Sequence, residues 1–318
     1  MQTPERIDVV ADVGGTNTRV AIARGGKVDA ATIRRFANTR HGSLAEVLRQ
    51  FGADMGLQRC DSACAAIAGP VRDHVGRLTN LDWSADRDLL RDATGADRAA
   101  VLNDLVAQGY ALDAIPEGEI TPVFAGSNAG PGATRLVIGV GTGFNAAAVH
   151  ETAAGRVVLP SEAGHVTLPI RTEKALSLVR ALEGVHGFVG VEDILSGRGV
   201  ARIDAWLDGG APPRDTAAVM AALEAGEPRA MEAGRIFVRL LGAVAGDLAL
   251  IHLPFGGIYL IGGVARAFLP WFNTFGLSDA FREKGRFGPF MADFSLSVIE
   301  DDFAALTGCA AYLACTAP

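Results

Sequence analysis

At 318 residues the chain exceeds what one compact core usually spans, so two domains are expected. Its 49% hydrophobic content rests mainly on Ala, Val and Leu, and the longest apolar stretch, residues 240–264, is broken by Asp247, His252, Pro254 and several glycines, which excludes a membrane span. The formal net charge of −7 comes without a lysine- or arginine-rich run, which argues against a nucleic-acid surface or an anionic membrane patch and points to a small-molecule partner.

The N-terminal residues carry neither a basic n-region nor an apolar h-region, so no secretory signal is expected. Cys60, Cys64, Cys309 and Cys315 lack paired CxxC spacing and read as buried thiols of a reducing cytoplasm, not as a zinc site.

In chain order, Ile7-Asp8-Val9-Val10-Ala11 and Val20-Ala21-Ile22-Ala23 read as strands flanking Asp12-Val13-Gly14-Gly15-Thr16-Asn17. The pattern is a β-hairpin whose tip offers backbone N–H groups and a threonine hydroxyl to phosphate. It lacks the Gly-Lys-Ser/Thr and the following helix of a P-loop. Asp12 ends an otherwise apolar strand, where a bare carboxylate is costly unless it meets a cation or donors. Two readings stand: Asp12 faces a nucleotide-borne Mg²⁺ through bound water, or it caps its own turn through the Gly14 and Gly15 amides.

Ser43-Leu44-Ala45-Glu46 fits a capping box, and Leu44, Val47, Leu48 and Phe51 follow at helical spacing. Residues 63–68 form a buried strand ending at Gly69-Pro70. Residues 99–102 form another, ending at Asn103-Asp104, and a helix is predicted from Leu105 to about Leu112. Asp104 thus lies at the carboxyl end of a strand, where ligands of α/β sheets collect. It serves either as a helix N-cap or as a general base.

The order then repeats. Leu136-Val137-Ile138 leads into Gly139-Val140-Gly141-Thr142-Gly143 and returns through Ala146-Ala147-Ala148-Val149, a second glycine hairpin. Ser161-Glu162-Ala163-Gly164-His165 is a polar turn between apolar residues. Glu162, His165 and Glu192 have the carboxylates and imidazole that a ring of sugar hydroxyls requires, although single residues of this kind are usually structural or solvated. Helices are predicted near residues 172–185 and 229–252, with His186 read as structural and Gly209 to Arg214 as a surface loop. A buried strand, Ile258-Tyr259-Leu260-Ile261, ends at Gly262-Gly263. A strand over residues 294–300 and a small-residue helix from Asp302 to Cys315 close the chain. The fold class is α/β, with two domains each built on a sheet that opens with a glycine hairpin. The small domain is expected over residues 1–105, joined by the C-terminal helix of about 303–318, and the large one over 106–302.

The motifs Asp12 to Asn17, Ala66 to Pro70, Thr79-Asn80-Leu81-Asp82-Trp83, Asn103-Asp104, Gly139 to Gly143, Ser161 to His165, Glu192 to Gly197 and Leu260 to Gly263 resemble, in order, those of the bacterial ATP-dependent glucokinase family. They span residues 8 to about 265, and eight in sequence are highly specific where any one would be weak. The resemblance implies the actin-like ATPase (ribonuclease H-like) fold with a cleft between a small and a large domain, usually as a cytoplasmic homodimer. It implies phosphorylation of glucose at its 6-hydroxyl with ATP and Mg²⁺. It makes Asp104 the catalytic base, and puts Asn103, Asp104, Glu162, His165 and Glu192 at the sugar. At the nucleotide it puts Asp12, Gly14, Gly15, Thr16, Asn17, Gly141, Thr142, Gly143, Gly262 and Gly263, with Asp12 reaching Mg²⁺ through water. Because these residues fall in both domains, the site is expected to form on domain closure.

The chain departs from the family's pattern at three places. Ala163 stands where glycine is commoner, the second turn continues as Phe144-Asn145, and Asp301-Asp302-Phe303-Ala304 replaces an Asp-Asn-Pro-Gly-like element. These bear on sugar preference and hinge geometry, not on the reaction class. No cysteine lies between Cys64 and Cys309, whereas the repressor and sugar-kinase branch of this fold carries a cysteine-rich zinc motif. The alternatives are a kinase for another hexose or a hexosamine, a sugar-sensing protein with degraded catalysis, and a nucleotide-gated binding protein of the actin-like type. A sensor-regulator is expected to add a helix-turn-helix, while this chain begins with a strand, and an actin-like binder has no need of Asn103-Asp104, Glu162 and His165.

Overall fold

The computed structural model describes residues 6–78, 81–127, 129–209 and 212–316. Thr79 and Asn80 of the motif before Trp83, and two residues of the loop expected from Gly209 to Arg214, lie outside the described residues, as does the side chain of His186. The chain divides into two compact units: one takes the chain up to Glu117, Ala153–Pro160 and everything from Asp301, the other takes Gly118–Thr152 and Ser161–Glu300.

In the first unit, β1 (Asp8–Val13) and β2 (Asn17–Arg24) form the expected hairpin. β2 also pairs with β3 (Lys27–Val28) and β4 (Arg34–Ala37). Helix α1 (Leu44–Asp54) is opened by Ser43, whose hydroxyl accepts the Glu46 N–H at 3.3 Å. The Glu46 carboxylate takes the Gly42 amide, so the capping box is shifted by one residue on that side. There follow β5 (Ser62–Ile67), a small antiparallel sheet of β6 (Val71–Arg72), β7 (Val75–Arg77) and β8 (Ser84–Ala85), then α2 (Arg87–Thr94), β9 (Arg98–Asn103) and α3 (Asp104–Ala111).

The main sheet runs β3-β2-β1-β5-β9, with β1, β5 and β9 parallel. Alternation along central β1 sorts its side chains onto two faces. Val9, Ala11 and Val13 join a core with Leu44, Val47, Leu48 and Phe51. Val10 joins a core of small residues that includes Ala66, Ala107, Cys309 and Ala310, and Asp12, two residues on, shares its face.

That small-residue face is covered by α11 (Ala304–Cys315), which returns from the chain end. Gly308 packs so closely on α3 that a methyl there would overlap the Ala107 carbonyl. This packing holds α3 in the first unit, which reaches Glu117, past the boundary expected near Leu105. Cys60, Cys64 and Cys309 are buried, but Cys315, at the end of α11, is exposed. Strand β13 (Gly155–Pro160) also belongs here: the Tyr110 hydroxyl donates to the Arg156 carbonyl at 3.3 Å, and Arg156 pairs with Asp113.

The second unit repeats the plan. β10 (Ile120–Phe124) precedes the hairpin of β11 (Arg135–Val140) and β12 (Phe144–Thr152). Helices α4 (Glu173–His186), α5 (Val191–Ile194), α6 (Gly197–Leu207), α7 (Thr216–Glu224) and α8 (Pro228–His252) follow, then β14 (Ile258–Ile261), α9 (Gly263–Phe268), α10 (Leu277–Arg282) and β15 (Leu296–Ile299). Within the sheet the order is β10-β15-β14-β11-β12, with β11, β14 and β15 parallel. Gly242 and Gly246 on one face of α8 admit the α10 backbone, where a Cβ would meet the Leu277 and Phe281 carbonyl oxygens at 2.5 Å each. Buried Asp204 of α6 takes a forked pair of bonds from Arg214 at 2.7 and 3.0 Å and one from Arg229 at 3.1 Å, which anchors the end of the predicted loop. No helix among the described residues is long and apolar enough to cross a membrane.

Candidate active site

Register places the first unit's candidates on one edge of its sheet. Val13 pairs with Ile67, and Ile67 with Asn103, so the turn after β1, Gly69-Pro70 after β5 and Asp104 after β9 lie side by side at the strands' carboxyl ends. Asn103, not Asp104, is the N-cap of α3. Its carboxamide oxygen accepts the Leu105 and Val106 N–H groups at 3.0 and 3.3 Å, and its amide nitrogen donates to the Gly69 carbonyl at 3.1 Å. With the cap filled by its neighbour, Asp104 is left as the first residue of the helix, its Oδ1 accepting the Leu105 N–H at 2.8 Å. Burial, then the negative charge of Asp12, push its carboxyl up to about 6.

Asp12 meets a cation from its own hairpin. Arg19, directly across the β1–β2 register, donates to Oδ2 at 3.1 Å. The same guanidinium donates to the Asp302 carbonyl at 3.4 Å and lies 5.7 Å from the Phe303 ring centre. Burial raises the Asp12 carboxyl and Arg19 draws it back. Among the described residues no bond joins the carboxylate to the Gly14 or Gly15 amides, and the Gly14 N–H goes to the Asn17 carbonyl at 3.0 Å. The turn-capping reading of Asp12 therefore gives way to an ion pair that engages one of its two oxygens.

The turn Gly14-Gly15-Thr16, with Thr16 exposed and Asn17 opening β2, is held from behind by a residue that sequence reading missed. Asn38, 1% exposed, donates from its side chain to the Gly14 carbonyl at 2.7 Å and from its backbone to the Thr16 carbonyl at 2.9 Å. Its oxygen accepts the hydroxyl of fully buried Thr18 at 2.8 Å.

In the second unit the turn Gly141-Thr142-Gly143 closes through the Gly141 N–H, which donates to the Gly143 carbonyl at 2.9 Å. The Gly141 carbonyl accepts the N–H of Gly197 at the start of α6, at 2.8 Å. Gly262, at φ 113°, lies beside this turn, and a Cβ on it would sit 2.5 Å from the Val140 carbonyl oxygen, so only glycine fits. Gly263 opens α9.

Glu192, on α5, grips the same turn. Its Oε2 accepts the Phe144 N–H at 3.1 Å and would lie 2.6 Å from a Cβ at Gly143, while Oε1 pairs with Arg198 at 3.1 Å. Both carboxylate oxygens are thus engaged inside the unit. Glu162 and His165 share one 3₁₀ turn, the His165 N–H donating to the Glu162 carbonyl at 3.0 Å. Both side chains are exposed, while Ala163 and Gly164 between them are buried. Asn145 supports this turn from β12. Asn38, Arg19 and Arg198 are therefore polar side chains around the candidates that no motif signalled, while Asn145 stood out in the sequence only as a departure from the family's pattern.

The profile of the Glucokinase family matches residues 9–316. The glucokinase of Chromohalobacter salexigens is 32% identical over 304 residues, covering 94% of this chain and 95% of that protein. A solved glucokinase from an Antarctic psychrotroph superposes with a TM-score of 0.84 at 29% identity, covering 97% of this chain and 98% of that one. A ROK-family glucokinase from Streptomyces griseus, solved with glucose and AMPPNP, superposes at 0.63 with 19% identity over 96% of this chain and 98% of that one, a likeness of fold alone. A family match over nearly the whole chain, on a structure with both glycine hairpins and a carboxylate just after β9, leads to one conclusion: the chain belongs to the glucokinase family.

Proposed function

We propose that this chain transfers the γ-phosphoryl group of ATP to the 6-hydroxyl of glucose, on an actin-like fold of the ribonuclease H type. The observation that carries the reading is Asp104: it stands beside a filled N-cap at the carboxyl end of β9 and holds a carboxyl raised to about 6. A base poised near neutral pH is what proton abstraction from an alcohol requires. In this reading the 6-hydroxyl proton passes to Asp104 as its oxygen attacks the γ-phosphorus and the bond to the β-phosphate bridging oxygen breaks. Glu162 and His165 read the sugar's other hydroxyls, and the two glycine turns supply N–H donors to the phosphates.

Asp12 fits a Mg²⁺ held through water, since one of its oxygens accepts no bond among the described residues and its charge already bears on Asp104. Bound there with the nucleotide, Mg²⁺ would neutralise charge on the phosphate oxygens. Glu192 acts through the second turn, whose Phe144 amide it holds. A homodimer in the cytoplasm is part of the same proposal, resting on the family resemblance and checked by mass in solution.

The test is a coupled assay across a hexose and hexosamine panel, with ATP and with polyphosphate as donors. Glucose with ATP should give the highest kcat/KM. Preference for another sugar would overturn the substrate, and turnover with polyphosphate alone would overturn the donor.

A further inference from the structure

Two of the three places where the chain departs from the family's pattern touch each other. The Oδ1 of Asn145 accepts the Ala163 N–H at 2.9 Å, the Ala146 N–H at 2.8 Å and the Ser161 hydroxyl at 3.2 Å. Its amide nitrogen faces Oε2 of Glu162 at 3.4 Å, the one side-chain bond Glu162 makes among the described residues. The single Ser161 hydroxyl proton is shared between the Asn145 Oδ1 and the Ala146 carbonyl, which lies closer, at 2.7 Å. Buried Ala163 sends its methyl into the same core as Phe144 and Ala146. Gly164 lies flat on the Phe144 carbonyl, so that a side chain there would overlap it. Residues 161, 163 and 164 are thus all tied to the first residues of β12, while Glu162 and His165 point outward from the same turn.

We propose that Asn145 is a positioning residue for sugar recognition, and that Ala163 is its partner: together they hold the Ser161–His165 turn in one conformation before sugar arrives. The inference rests on the reading that Glu162 and His165 contact the sugar. A turn ordered in advance loses less entropy on binding and presents its polar groups at fixed separations, which sharpens selectivity as well as affinity. Alanine at 163 acts in the same direction, since it leaves the unbound turn fewer conformations than glycine would. Replacing Asn145 by alanine strands the buried Ala163 N–H and frees the Glu162 side chain.

Asn145→Ala and Ala163→Gly test this by calorimetry of glucose binding without nucleotide, and by kcat/KM for glucose against its C2 and C3 epimers. Asn145→Ala should weaken glucose binding by about 5-fold or more and narrow the preference over the epimers, with the KM for ATP at saturating glucose unchanged. Ala163→Gly should move both sugar readouts in the same direction by less, with a modest fall in Tm from the lost buried methyl. Unchanged glucose affinity and epimer ratios in a folded Asn145→Ala would overturn the proposal, and so would a parallel rise in both KM values. Should Asn145→Ala fail to fold, the same silence in Ala163→Gly overturns it. Glu162→Gln separates the two layers. If that variant keeps wild-type selectivity, the sugar reading itself fails; if it loses selectivity while Asn145→Ala does not, only the positioning role fails.

Discussion

Asn103 caps α3 with the same oxygen for two N–H groups, and so releases Asp104, its neighbour, from the capping duty that either residue type could perform. Asp104→Asn should therefore leave the helix end intact and remove only the proton acceptor. Turnover should fall by about 10²- to 10⁴-fold with glucose affinity nearly unchanged. Since the carboxyl is raised to about 6, wild-type turnover should fall on the acid side as pH drops through that value. Stopped-flow or coupled kinetics between acid and neutral pH check both, and a variant with wild-type kcat would remove Asp104 from the chemistry.

The same carboxyl carries a stability consequence of opposite sense. Its value in the folded protein, about 6, lies above the ordinary 3.8. The folded state therefore binds the proton more tightly than the unfolded chain, a stabilisation complete below the ordinary value and lost as pH rises through about 6. Asp104→Asn cannot ionise and escapes that loss. Relative to wild type, the variant's Tm should rise mainly between about pH 4 and about pH 6 and level off above about pH 7. A difference independent of pH would mean that Asp104 titrates as an ordinary carboxylate.

Gly308→Ala probes how α11 sets the base. The new methyl has no room against the Ala107 carbonyl, and because it meets backbone, relief requires moving α11 and α3 apart, and the first residue of α3 is Asp104. Overpacking of this kind costs about 1–3 kcal/mol. Both Tm and kcat should drop, with the KM for ATP less affected. A stable variant with full turnover would show that α3 tolerates the shift without moving its first turn.

What the sequence made legible follows the strength of its local patterns. The two hairpins, β5, β9, β14 and α8 carry continuous apolar runs or helical periodicity, and each forms within a few residues of expectation. α6 begins Gly197-Arg198-Gly199, a poor helical opening. It folds because Ser196 caps it and because Asp204 is bound by two arginines from beyond its end. Asn38 sits in a segment with no motif, and its meaning depends on partners at Gly14, Thr16 and Thr18 that only sheet pairing brings near. Glu192 was legible as a conspicuous carboxylate; that it reaches the Phe144 amide, 48 residues away in sequence, was not.

Asp12→Ala separates metal from structure. Losing the carboxylate deprives Arg19 of its partner in the hairpin but leaves the glycine turn closed by the Gly14 N–H. The variant should need more Mg²⁺ for half-maximal turnover and bind Mg-ATP more weakly by calorimetry, with glucose binding little changed. Wild-type Mg²⁺ dependence would restrict Asp12 to its ion pair with Arg19.

Asn38 gives the sharpest test of the first turn, because its bonds can be removed selectively. Asn38→Ala leaves the buried Thr18 hydroxyl and the Gly14 carbonyl without a partner, at a cost near 1–3 kcal/mol if neither relaxes. If the strain is relieved by movement of the turn, the KM for ATP should rise by up to about 100-fold, while glucose affinity, which depends on the second unit's turn in our reading, should not change. Asn38→Asp keeps an acceptor for Thr18 but turns a donor into a negative oxygen facing the Gly14 carbonyl, so it should impair nucleotide binding more than its effect on Tm suggests. Equal losses of ATP and glucose affinity in both variants would mean that Asn38 supports the fold of the first unit in general, and not the phosphate-facing turn.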